Sequence, residues 1–230
     1  MKTDPRFADK VGAEYRLFPL AAPHYEGLQR RVAQFTAAHC SPDARILEIG
    51  CGNGLTTMKL RQAMPTATIV ALDAEEVMID QIKTNLADQN IEIVLADALE
   101  YLRQQPKASF DSIVTAFCLH NLPADYRLAC FQEMGRVLRP GGIIVQGDKV
   151  AQDDILQHWT ALKTQIDAFA IFATTDYPEL QEEWTQHYLA DDRIRLTETE
   201  QRGLLAAAGC HEITRQARWV MDTIWTAIKI

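Results

Sequence analysis

The stretch ILEIGCGNG, residues 46–54, opens as an apolar run broken by one carboxylate and closes with glycine at every second position. Ile46, Leu47 and Ile49 suit a buried strand, and Gly50, Gly52 and Gly54 bare the backbone at its end. A strand, a bare loop and a helix N-terminus make a site for a nucleotide-bearing ligand. Glycine lets the ligand reach the main chain, and the first helical turn offers free N–H groups. The spacing is G-x-G-x-G rather than the dinucleotide pattern G-x-G-x-x-G. Leu55 stands where a third glycine would be, and no Lys-Ser/Thr pair follows as in a P-loop. Glu48 inside the strand is costly without a partner, which a ligand's positive charge would supply.

Outward from this loop, apolar strands and amphipathic helices alternate. A helix over 55–64 ends at Pro65, and "ATIVALD" (67–73) reads as a second strand followed by a helix over 75–88. "IEIVLAD" (91–97), a short helix, "FDSIVTAF" (110–117), a helix over 124–138, a turn at 139–142 and "IIVQGD" (143–148) continue the series. Apolar strands joined by helices predict a parallel sheet covered on both faces, with right-handed crossovers. The C-terminal part differs. Thr197 and Glu200 make a capping box for a helix that stops at Gly209. Two strands, 211–220 and 222–230, then follow with only a turn between them, so they form an antiparallel hairpin. Two segments exceed what the sheet requires: an N-terminal part, 1–40, and a stretch, 149–196, carrying Trp159, Phe169, Phe172, Tyr177, Trp184 and Tyr188. Both are expected as helical covers around a single domain, with 41–148 as the ligand-binding core and 197–230 as the terminal helix and hairpin.

Two acids fit the loop. Asp73 ends the second strand, where a carboxylate accepts two ribose hydroxyl hydrogens; it equally suits a helix N-cap. Asp97 ends the third strand, where it accepts an adenine amino hydrogen or, again, caps a helix. The chain has 230 residues and a formal net charge of −8. Such an acidic chain is not expected to grip nucleic acid through phosphates. No apolar run of membrane length and no signal-peptide pattern is present, which predicts a cytoplasmic protein with no membrane partner. Five cysteines without a C-x-x-C suggest neither a disulfide framework nor a zinc site, and no metal is expected.

"LEIGCGNG", "VALDAEEVM", "VLADALE", "FDSIVTAFCLHNL" and "RVLRPGGIIV" resemble, in order and spacing, the motifs of class I S-adenosylmethionine-dependent methyltransferases. The resemblance spans 45–148, and the terminal hairpin resembles the family's last two strands. It implies an α/β, Rossmann-like, seven-stranded sheet of order 3-2-1-4-5-7-6, strand seven antiparallel, with helices on both faces. The implied cofactor is S-adenosyl-L-methionine. Glu48, Gly50, Cys51, Gly52 and Gly54 would surround its methionine part, and Asp73 with Ala74 its ribose. Asp97, Ala98 and Met78 would hold the adenine, and Phe117 would border the methyl group. The sequence also resembles the carboxy-S-adenosylmethionine synthases of tRNA wobble-uridine modification. Those enzymes place an Arg in the segment after strand five, where Thr185 and Gln186 stand here and Arg193 is nearby. Plain S-adenosylmethionine and true methyl transfer are therefore the expectation, with the synthase or a non-catalytic cofactor binder as alternatives.

Methyl transfer from a sulfonium is an in-line displacement that chiefly requires two reactants held together, dry and aligned. A base is needed only where the acceptor loses a proton. His120, just after the fourth strand, is the candidate base, with a shaping role as its alternative. Asn121, Tyr15, Trp184, His187 and Tyr188 are the candidates for contacting the acceptor. An acidic chain with an aromatic cover suggests a small molecule enclosed on binding, in a monomer or homodimer.

Overall fold

The computed structural model describes residues 14–86 and 91–230, without the side chain of Tyr15. Its seven strands are β1 (Arg45–Ile49), β2 (Thr68–Asp73), β3 (Ile91–Leu95), β4 (Phe110–Ala116), β5 (Leu138–Lys149), β6 (Cys210–Trp219) and β7 (Asp222–Lys229). They form one sheet in the order β3-β2-β1-β4-β5-β7-β6. Neighbours run parallel from β3 through β5, and β7 lies antiparallel to both β5 and β6. The order reverses between β1 and β4, so a crevice opens at the carboxyl ends of these two strands.

Eight described helices surround the sheet: α1 (Tyr25–His39), α2 (Leu55–Ala63), α3 (Glu76–Asn85), α4 (Ala98–Gln104), α5 (Ala124–Val137), α6 (Ile155–Ala168), α7 (Leu180–Asp192) and α8 (Glu198–Ala207). Strand residues alternate between two cores, as the period of two requires. Leu47, Ile49, Val70, Leu72, Ile113 and Ile144 pack with α5 residues such as Phe131 and Met134. Ile46, Ile69, Ala71, Val114 and Val145 pack with Leu28 and Val32 of α1, Leu60 of α2 and Ile82 of α3. Burial of these aliphatic side chains, worth roughly 1.5–3 kcal/mol each, is the main force fixing the layers.

Two details differ from the sequence reading. The Arg139–Gly142 segment is absorbed into a longer β5 rather than standing as a separate turn. The helix after β2 is shorter, ending at Asn85. Residues 1–13 of the expected N-terminal cover lie outside the described residues. The capping box of α8 is present in full: Thr197 accepts from the Glu200 N–H, and the Glu200 carboxylate accepts from Thr197.

The surplus segments form a third apolar cluster. Phe18 and Ala22 precede α1, Tyr25 opens it, and Phe169, Phe172, Leu180, Trp184 and Tyr188 come from the stretch between β5 and α8. Phe18 lies against Trp184 with ring centroids 4.5 Å apart, and Phe169 meets Tyr188 edge to face at 5.0 Å. Most aromatics of this cover are thus spent inside the chain; Trp159 on α6 remains exposed.

Candidate active site

The loop after β1 bends back onto β2. The N–H groups of Gly50 and Cys51 both donate to the carbonyl of Leu72, at 2.8 and 3.0 Å. Asp73 accepts from the Gly52 N–H at 2.8 Å and from the Glu75 N–H at 3.0 Å. One carboxylate thereby joins the two loops that border the crevice. Burial raises the pKa of Asp73, and the backbone donors Glu75, Gly52 and Ala74 oppose that rise.

A cavity fills the crevice. Gly50, Cys51, Gly52 and Asn53 line it from the first loop, and Asp73, Ala74, Glu75 and Met78 from the second. Ala96 and Ala98 line it beyond β3, and Phe117, Cys118, Asn121 and Leu122 beyond β4. Tyr25, Gln29, Leu55 and Thr56 close the remaining side. Phe117 has φ +53°, an unusual conformation for an aromatic residue that costs on the order of 1–3 kcal/mol. Its N–H is held by the Gly147 carbonyl at 2.8 Å, and its ring stacks on Tyr25 at 4.8 Å. The aromatic cover sits on this pair, since Phe18 also approaches Phe117 edge to face.

Gly50, Cys51, Gly52, Asp73, Ala74, Met78, Ala98, Phe117 and Asn121 are all brought to the cavity wall. Glu48, Gly54 and Asp97 are not. Glu48 points into the core on the α2 side, where Thr57 donates to it at 2.6 Å. Burial there, with Asp73 adding to it and Thr57 opposing, pushes its carboxyl up to about 8. At Gly54 a Cβ would sit 2.7 Å from Ile82, so this glycine serves the approach of α3 to the loop. Asp97 caps α4 and accepts from the Tyr126 hydroxyl at 2.6 Å, on the far side of Ala98. The capping alternative thus describes its contacts.

The acceptor candidates divide similarly. Trp184, His187 and Tyr188 are buried within the cover and none lines the cavity. His120 does not line it either: its Nδ1 lies 2.5 Å from Asp148, and its ring closes a second, smaller crevice with Lys149, Tyr188 and Asp191. The position expected for a base is thus drawn toward β5 by a buried carboxylate. Tyr25, Gln29 and Thr56 were not legible as site residues. Gln29 is buried on α1 and accepts from the Thr56 hydroxyl at 2.8 Å. The sequence signal was only a polar residue on the apolar face of a helix.

Over residues 46–142 the chain matches the family model described as a methyltransferase domain. The carboxy-S-adenosyl-L-methionine synthase of Dichelobacter nodosus is 27% identical over 98% of this chain and 93% of its own length. A demethylmenaquinone methyltransferase of Staphylococcus aureus is 37% identical over 44% of this chain and 41% of its own length. Among solved structures, an O-methyltransferase family protein from Burkholderia thailandensis superposes with a TM-score of 0.70 at 13% identity, covering 97% of this chain and 61% of that one. Sheet order and glycine loop, with the match over 46–142, make the chain similar to the class I S-adenosylmethionine-dependent methyltransferases.

The cavity fits that class's cofactor. A Cβ at Gly52 would meet nothing within 4 Å, so the loop faces open space. Asp73 borders it at the end of β2, Met78 and Ala98 provide an apolar wall, and among the described residues the lining carries Asp73 and Glu75 but no Lys or Arg. That charge balance suits a cationic sulfonium.

Proposed function

We propose that this chain transfers a methyl group from S-adenosylmethionine to a small acceptor held between the Gly50 loop, Phe117 and Asn121, and the α1 residues Tyr25 and Gln29. The sulfonium supplies an activated methyl group and a good leaving group. The chain's own work is placement and the exclusion of water. Asp73 stiffens the two loops that fix the donor end. Phe117, held in its strained conformation, and Tyr25 form an apolar wall at the carboxyl end of β4. Gln29 and Asn121 offer amides that orient a polar acceptor without titrating. Among the described residues no His or Lys lines the cavity, which favours an acceptor whose nucleophile needs no strong base.

The observation that carries this reading is the aromatic cover seated on Phe117 and Tyr25, which makes the acceptor side enclosed and apolar. A second reading, carboxy-S-adenosylmethionine synthesis, is favoured by the near full-length match to the Dichelobacter nodosus enzyme. Against it stands the cavity lining, which among the described residues provides no Lys or Arg for an added carboxylate. Mass spectrometry of reactions with isotopically labelled S-adenosylmethionine separates the two. A labelled methyl group on an added acceptor, with S-adenosylhomocysteine as co-product, is expected. A cofactor carrying a new carboxyl group would overturn the methyl-transfer reading.

A further inference from the structure

The second crevice holds a cluster that methyl transfer does not use. Helix α7 presents His187 and Asp191 four residues apart, hence on one face. That face meets His120, which follows β4. The Asp191 Oδ2 atom lies 3.3 Å from His187 Nε2 and 3.7 Å from His120 Nε2. One donor atom from each of the three residues falls within 4.8 Å of the others, and all three side chains are buried.

We propose that His120, His187 and Asp191 form a site for a divalent cation of the zinc type, which clips α7 to the core. Zinc binds imidazole nitrogen and carboxylate oxygen at about 2.0–2.2 Å, so tetrahedral ligands stand roughly 3.3–3.5 Å apart. The 3.3 Å separation matches this, the 3.7 Å one is slightly long, and the two imidazoles, within 4.8 Å of each other, would draw inward on the cation. Two imidazoles and one carboxylate leave a fourth position for water, and the crevice lined by His158, Asp192 and Arg195 gives a route in.

The surroundings of His120 are those of an oriented ligand. Asp148 is wholly buried and accepts from the Lys149 N–H at 3.0 Å, from Gln146 at 3.1 Å and from the His120 N–H at 3.2 Å. It is an acceptor on every side, so the 2.5 Å contact puts the ring hydrogen on His120 Nδ1. As a metal ligand the ring would then present the lone pair of Nε2 to a cation held with Asp191. A carboxylate behind a histidine in this manner fixes the tautomer and strengthens the metal bond.

Lys149 is the competitor. Its ammonium is paired with Asp191 and lies 3.8 Å over the Tyr188 ring. Without metal it neutralises Asp191. With metal bound, the ring can retain the ammonium while Asp191 turns to the cation. Lys149 therefore weakens metal binding, whereas Asp148 strengthens it.

The test uses the full chain, treated with EDTA and kept reduced, and titrated with Co2+ as an optical probe that Zn2+ then displaces. One equivalent with visible ligand-field bands and no thiolate charge-transfer band is expected. His187→Asn and Asp191→Asn should each abolish it. Asp148→Asn should weaken it about 10–100-fold, and Lys149→Met should tighten it about tenfold or more by removing a like charge. No stoichiometric binding by the wild type overturns the proposal, as does binding indifferent to His187→Asn and Asp191→Asn. Should those two variants fail to fold, the opposite shifts of Asp148→Asn and Lys149→Met decide, and equal affinity in both rejects the site.

Discussion

Asp73, at the end of β2, accepts the backbone N–H of Gly52 at 2.8 Å, so one carboxylate ties the loop after β1 to the loop after β2. The same group lines the cavity, where the proposed reading gives it the ribose hydroxyls. Replacing it with Asn should lower affinity for S-adenosylhomocysteine about 10–100-fold, since a hydrogen bond to a charged group is worth roughly 1.5–3 kcal/mol. Titration calorimetry on wild type and Asp73→Asn measures this. Identical affinities would remove Asp73 from the binding site.

Glu48 leads to a pH-dependent prediction. Its folded pKa, pushed up by burial to about 8, lies above the ordinary value of 4.5. The stability it contributes is fully present below the ordinary value and is lost as pH rises through the folded one. Glu48→Gln keeps the shape and removes the charge. The variant's melting temperature should therefore gain on wild type by several degrees between pH 5 and pH 8. A constant difference across that range would show that Glu48 does not titrate there.

The cover rests on Trp184, buried between Phe18 and Phe169. Trp184→Ala should cost about 3–5 kcal/mol, as for large aromatic truncations in a core. Part of that loss should appear as faster hydrogen exchange in 14–25 and 169–192, because these segments share the cluster. Urea unfolding and exchange mass spectrometry test both. A loss below 1 kcal/mol would mean that the cover is loosely packed.

The sheet was legible because its signal is local and repeated. Apolar runs such as Ile46–Ile49 and Ile69–Leu72 alternate with helical patterns, and the hairpin has only two residues between its strands. The cavity was half legible. Gly50, Gly52 and Asp73 announce themselves through loop chemistry at strand ends. Tyr25 and Gln29 reach the site only because α1 crosses over the loop, which no pattern within 25–39 reveals. Asp97 carried two meanings in sequence; it accepts from the Glu100 N–H as a helix cap and also from Tyr126, 29 residues onward. His120 was assigned by its place after β4. Its orientation depends on Asp148 and Asp191, whose proximity follows from the packing of β5 and α7.

Two glycines should respond to alanine in opposite ways. Gly50 has φ +72°, and a Cβ there would lie 2.3 Å from Cys118 Sγ and 2.5 Å from its Cβ. Neither the backbone nor the neighbour can accommodate the methyl group, because Cys118 is fixed at the cavity wall beside the strained Phe117. Gly50→Ala should displace the loop and abolish measurable cofactor binding. Gly203 lies inside α8, where an added Cβ would meet nothing within 4 Å. There alanine reduces backbone freedom in the unfolded chain and should stabilise the protein by about 0.5–1 kcal/mol. Calorimetry with S-adenosylhomocysteine and thermal unfolding of both variants check the contrast. Cofactor binding retained by Gly50→Ala would mean that the loop can yield at Cys118, and the cavity's shape would then not depend on that contact.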